Sequence, residues 1–156
     1  MAEIVAELDE LARRVAALKE EGRRVVLSNG TFDLLHVGHV RLLAEASELA
    51  DVLVVALNDD ASARGNKGDG RPLVPLAERM EVVAALAGVD YVTSFPEATA
   101  GPLLETLRPD VHVKGTDWTA ETVPERDVVL AYGGRIAICG DPKTRSSTAL
   151  IEKLRG

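Results

Sequence analysis

A single cysteine, Cys139, in 156 residues excludes an internal disulfide framework and any cysteine-rich metal site. It ends the strand-like run Arg135-Ile136-Ala137-Ile138-Cys139, where a small buried side chain is expected. Aromatic residues are also scarce, with two Phe, two Tyr and one Trp, so the core must be built from Val, Leu, Ile and 21 Ala. No apolar run approaches the length of a membrane span, and the longest near-apolar segment, Val52 to Leu57, fits one buried strand. The first twenty residues carry acids throughout and lack the basic-then-apolar layout of a secretory leader, so a cytoplasmic protein is expected. Lys and Arg number 18 against 25 Asp and Glu, and the net charge of -7 argues against a broad nucleic-acid-binding surface. It leaves room for a small anion held by a local cluster of cations.

What is present is an alternation of strands and helices within one domain, residues 1–156. Ile4, Leu8, Leu11, Val15 and Leu18 recur at steps of four and three, which predicts a leading amphipathic helix within residues 1–21, stopping near Gly22. Strands are predicted at Val25 to Leu27, Val52 to Leu57, Tyr91 to Thr93, Val111 to Val113 and Arg135 to Cys139. Helices are predicted over about Gly38 to Ala50, Pro75 to Ala87, Leu103 to Leu107, Glu125 to Ala131 and Ser147 to Leu154. Residues 59 to 74, with Gly65, Gly68, Gly70 and Pro72, read as a loop with one helical turn at most. Short strands alternating with helices imply βαβ units, hence a Rossmann-like three-layer α/β/α sandwich around a five-stranded parallel sheet. The leading helix is expected to pack on that sheet, pairing in a homodimer being the alternative.

Ligands of such sheets bind beyond the carboxyl ends of the strands. After the first strand comes Ser28-Asn29-Gly30-Thr31-Phe32-Asp33-Leu34-Leu35-His36-Val37-Gly38-His39. It has neither the G-x-G-x-x-G of a dinucleotide fold nor the G-K-[ST] of a Walker A loop. Two histidines instead flank a glycine where a helix begins. Gly38 permits close backbone approach, the helix N-terminus offers N–H groups to an anion, and His36 and His39 can donate to phosphoryl oxygens. Lys114, Arg145, Ser147 and Thr148 fall past strand ends or at helix starts on the same edge, as do Arg64, Lys67, Arg71 and Lys143. The glycines and three cations of residues 64–71 suit a lid over phosphates. His112 alternates with Val111 and Val113 on a strand and reads as structural. Asp59 and Asp60 suit either a helix cap or contact with ligand hydroxyls.

Asn29-Gly30-Thr31-Phe32-Asp33-Leu34-Leu35-His36-Val37-Gly38-His39 resembles the HxGH signature of the cytidylyltransferase-like nucleotidyltransferases. Four further stretches match in order: Leu57 to Ser62; Lys67-Gly68 with Arg71 to Met80; Val113 to Trp118; and Thr144 to Ile151, which resembles the family's second signature. Each is weak alone, but five in the same order are specific, and they cover residues 24 to 155. Within the family the segment Asn58 to Pro75, with Val113-Lys114-Gly115, is similar to the D-glycero-β-D-manno-heptose 1-phosphate adenylyltransferases. Glycerol-3-phosphate cytidylyltransferases are the nearest rivals, and they carry an arginine before the third strand where this chain has Ala87-Gly88-Val89-Asp90. The chain departs from the pattern at Arg145, Thr116, Trp118 and the extra residues Asp141-Pro142-Lys143.

The resemblance implies transfer of AMP from ATP to a sugar 1-phosphate with release of pyrophosphate, Mg²⁺ riding on the nucleotide phosphates. The alternatives are a CTP-dependent polyol-phosphate enzyme and a non-catalytic nucleotide-binding module. It implies catalytic roles for His36, His39, Lys67 and Lys114. It implies nucleotide binding by Gly30, Thr31, Phe32, Asp33, Gly38, Asp117, Arg145, Ser147 and Thr148. Acceptor binding falls to Asp33, Asn58, Asp60, Arg71 and Arg79, with Asp33 orienting either the ligand or His36. No metal ligand in the protein, no nucleic acid and no membrane are implied.

Overall fold

A computed structural model describes residues 1–142 and 146–156. The elements run β1 (Glu3–Ile4), α1 (Leu8–Glu20), β2 (Val25–Gly30), α2 (Val37–Ser47), β3 (Val52–Asn58), α3 (Asp60–Lys67), α4 (Leu76–Ala84), β4 (Tyr91–Phe95), α5 (Gly101–Leu107), β5 (Val111–Lys114), α6 (Arg126–Ala131), β6 (Arg135–Ile138) and α7 (Ser147–Arg155). All pairings are parallel, in the order β1-β4-β3-β2-β5-β6. The Rossmann-like architecture is as expected, but the sheet has six strands rather than five.

Period-two alternation divides the core into two layers. Val26, Leu53, Val55, Leu57, Val111 and Val113 face α2 and α4, where Leu43, Ala46, Met80 and Val83 complete one apolar cluster. Val25, Leu27, Val52, Val54 and Ala56 face the other way, against Leu11 and Val15 of α1 and Leu103, Leu104 and Leu107 of α5. Every residue of β3 is buried, as a central parallel strand covered on both faces must be. The leading helix thus packs on the sheet of its own chain. Among the described residues no helix is long and apolar enough to cross a membrane.

Two local expectations are corrected. Ile4 does not begin the first helix: it lies in the extended β1, paired with Val92, and is 45% exposed. Its spacing from Leu8 imitates a helical step, but the Val5 amide bonds the Val92 carbonyl at 2.8 Å and Val5 is the buried residue. The segment after β3 is a full helix, α3, not a loop. The Asp59 carboxylate caps it by accepting from the Ser62 amide at 2.8 Å, Ser62 and Ala63 are buried, and the helix stops at Gly68, whose φ of 99° suits glycine.

The chain steps outward from β2 through β3 to β4, then returns to place β5 on the other side of β2. That reversal opens a crevice at the carboxyl ends of β2 and β5, where a doubly wound sheet binds its ligands.

Candidate active site

A cavity of about 280 Å³ occupies this crevice. Its floor is the end of β2 and the turn into α2. His36 is the N-cap residue of α2: its Nδ1 accepts the Gly38 amide at 3.1 Å, while the His36 amide donates to His39 Nδ1 at 3.3 Å. Histidines thus form a reciprocal capping box, a role usually filled by Ser or Thr with Glu. In each neutral ring an accepting Nδ1 puts the proton on Nε2, the donor needed for phosphate oxygens. The rings stack with centroids 4.0 Å apart, and Phe32 lies 5.3 Å from His39. Gly38 is required by packing: a Cβ there would lie 2.9 Å from the His36 ring.

Asp33 is buried, and its carboxylate takes three partners from the segment after α3. It accepts from Arg71 Nε at 2.8 Å and from the Leu73 and Val74 amides at 3.0 Å. Burial pushes its pKa up, but the two amides and Arg71 outweigh it and hold the carboxyl below its ordinary value. Its observed bonds anchor residues 71–74 and do not orient His36. Arg71 also reaches Thr148 Oγ1 at 3.4 Å, and Ser147 Oγ donates to the Leu34 carbonyl at 2.7 Å. The start of α7 is thereby tied to the turn after β2.

Lys67, at the end of α3, and Lys114, at the end of β5, both line the cavity. Burial lowers the Lys114 pKa, Lys67 lowers it further, and Glu125 and Asp117 oppose the shift. Lys114 Nζ lies 5.8 Å above the Trp118 ring, which with Asp117 forms the wall after β5. Gly30, Thr31 and Phe32 complete the expected lining. Arg145 and Lys143 lie outside the described residues.

Three expected acceptor-binding residues, Asn58, Asp60 and Arg79, do not line the cavity. Arg79 is fully buried and donates to the carbonyls of Val74, Thr31 and Asn58 and to the Asp60 carboxylate. It fastens the carboxyl ends of β2 and β3 to α4. Asn58 donates to Ser62 Oγ and the Glu97 carbonyl, both at 3.3 Å. Other lining residues were not singled out from the sequence. Arg41 of α2 pairs with Asp141, Glu45 accepts the Gly140 amide at 2.6 Å, and Thr116 donates to the Asp141 carbonyl at 2.9 Å, so the wall after β6 is held from both sides. Cys139, also in that wall, has its thiol pKa pushed up to about 11, by burial first and then by Glu45.

A parallel sheet with a histidine capping box and converging cations at its switch point defines a phosphate-handling α/β protein. Residues 27–152 match the Cytidylyltransferase-like family, and the chain belongs to it. Membership places it among the nucleotidyltransferases. It is 51% identical over 150 residues to "Bifunctional protein HldE" of Geobacter sulfurreducens, covering 96% of this chain and 31% of that protein. It is 46% identical over 149 residues to the protein of the same name from Pseudomonas syringae pv. syringae, again 96% and 31%. The chain therefore spans about a third of the length of the curated relatives it matches. Among solved structures, the lipopolysaccharide core biosynthesis protein from Thermoplasma volcanium GSS1 is similar with a TM-score of 0.67 and 27% identity, over 78% of this chain and 100% of that one.

Proposed function

We propose that this domain transfers AMP from ATP to a sugar 1-phosphate of the heptose class, releasing pyrophosphate and forming an ADP-sugar. The observation that carries this reading is the His36–His39 capping box, which turns two ring donors to a cavity edged by Lys67, Arg71 and Lys114. ATP and the heptose are drawn from the likeness to HldE proteins and from the sequence pattern of residues 58–75. Both substrates belong to the cytoplasm, where we place the reaction.

An oxygen of the acceptor phosphate attacks the α-phosphorus of ATP in line. A bond forms between that oxygen and the phosphorus, the bond to the bridging oxygen breaks, and its electron pair leaves with pyrophosphate. The protein positions the two phosphates and relieves charge on the five-coordinate phosphorus. In this reading His36 and His39 donate to its equatorial oxygens, and Lys67 and Lys114 offset the charge gathering on the leaving group. Gly30 and Thr31, with Ser147 and Thr148 at the α7 N-terminus, add backbone and hydroxyl donors.

The family generally uses a divalent metal. Among the described residues no group of three or more His, Cys, Asp or Glu could hold one, and Asp33 is engaged by Arg71, Leu73 and Val74. The donor set thus fits Mg²⁺ as a guest of the substrate phosphates, where it would neutralise part of their charge. The lining comes from one chain, and the reaction needs no second copy.

Pyrophosphate release measured with ATP, CTP, GTP and UTP against heptose 1-phosphate and glycerol 3-phosphate tests the reading. ATP with the heptose phosphate should be the fastest pair. Faster release from CTP and glycerol 3-phosphate would overturn it in favour of a cytidylyltransferase, and no release from any pair would leave a binding module.

A further inference from the structure

His112 lies in the middle of β5, opposite Leu27 of β2. Asn29 is two residues beyond Leu27 and so on the same face of the sheet. The two side chains meet, with His112 Nε2 2.7 Å from Asn29 Oδ1. His112 is fully buried, and its Nδ1 has no hydrogen-bond partner among the described residues. Burial, reinforced by Lys114, brings its pKa down to about 3, so the ring is neutral. A neutral imidazole with an unpartnered Nδ1 and a carbonyl oxygen against Nε2 carries its proton on Nε2. His112 is therefore the donor and Asn29 Oδ1 the acceptor.

That bond orients the amide. With its oxygen turned to His112, the Nδ2–H₂ group of Asn29 is the end left for the cavity, which Asn29 lines where β2 and β5 part. The nearby lining supplies donors and cations: Lys114 at the end of β5, and the His36 and His39 rings on the turn after β2. An amide presenting only N–H groups beside them extends a donor set for an oxygen-rich anion.

We propose that Asn29 is a substrate-binding residue that donates its side-chain amide to a phosphoryl oxygen, and that His112 is the positioning residue holding the amide in that orientation. The inference rests on the transferase reading above for the source of the phosphate, either the triphosphate or the sugar 1-phosphate. His112 acts only through Asn29, so removing its N–H frees the amide to rotate without removing any group that touches substrate.

Asn29 can be observed directly. The chain has three asparagines and no glutamine, so its side-chain amide spectrum contains three NH₂ pairs, and Asn29→Ala identifies the relevant one. Adding a non-hydrolysable MgATP analogue or, separately, a sugar 1-phosphate to the ¹⁵N-labelled wild type should shift the Asn29 pair, and the arm that does so names the source. No shift in either arm overturns the proposal. In pyrophosphate release, His112→Leu should lower kcat about tenfold in the wild-type background and less than about twofold when Asn29 is already alanine. Equal losses in both backgrounds, or no loss in the first, would show that His112 serves only the sheet. Should the wild type release no pyrophosphate, the transferase reading falls while the amide spectrum still decides the role of Asn29.

Discussion

The rings of His36 and His39 lie 4.0 Å apart because each uses its own Nδ1 to close the first turn of α2, His36 on the Gly38 amide and His39 on the His36 amide. Catalytic geometry and helix capping are thus one arrangement. The two donors are fixed by backbone groups before any substrate arrives, which lowers the cost of organising them during reaction.

His39→Ala should lower kcat at least about a hundredfold, as loss of a donor to the transition state does. The cap it supplies contributes only about 1 kcal/mol, so the fold should survive. Gly38→Ala should lower kcat too, since its Cβ would displace the His36 ring from a 2.9 Å approach. Steady-state kinetics beside a thermal melt check both. Near-normal kcat in His39→Ala would remove the histidine pair from the chemistry.

Asp33→Ala leaves Arg71 and the Leu73 and Val74 amides without their shared acceptor. Breaking a buried pair in this way costs about 3 kcal/mol, or roughly 6 to 12 °C in Tm for a chain of this size. Asp33→Asn keeps an acceptor and should cost less. Calorimetry distinguishes the two; an unchanged melt for Asp33→Ala would mean that residues 71–74 are held by something else.

Acid stability should depend on His112. Its pKa falls from 6.5 in the unfolded chain to about 3 in the native one, so between those values the unfolded state holds the extra proton. Stability from this group is complete above about pH 6.5 and is lost as the pH falls toward 3. Relative to wild type, His112→Leu should gain on the order of 2 kcal/mol between roughly pH 7 and pH 5. Asp33, also lowered, loses its contribution in a more acid window, below its unfolded value of 3.8. Denaturant melts at both pH values check the sign, and parallel curves would contradict a buried neutral imidazole.

Lys67→Ala should weaken catalysis more than binding of the nucleoside alone, because its charge faces phosphates. It also removes a like charge from Lys114. Burial keeps the Lys114 pKa depressed, but losing Lys67 lets it rise, so an alkaline limb of kcat/KM set by Lys114 should move to higher pH. Unchanged rate and binding would reduce the end of α3 to a connection between elements.

Local chemistry is what the sequence by itself determined. The unbroken apolar run of β3 can only be a strand covered on both faces, and Gly38 between two histidines at a helix start marks an anion site wherever that helix lies. Where local signals conflicted they misled: Ile4 imitates a helical step, and glycines at 65, 68 and 70 hide a helix secured by its Asp59 cap. Pairings across distant positions were left to the tertiary structure, because they depend on the strand order. Asp33 meets Arg71 38 residues away, His112 meets Asn29 across 83, and Arg41 meets Asp141 across 100. Residue type could not say which cations face a ligand either. Arg71 and Arg79 are alike in sequence, yet Arg71 lines the cavity while Arg79 is fully buried among carbonyls, since only the packing of α4 against β2 and β3 decides which guanidinium is needed to satisfy the backbone.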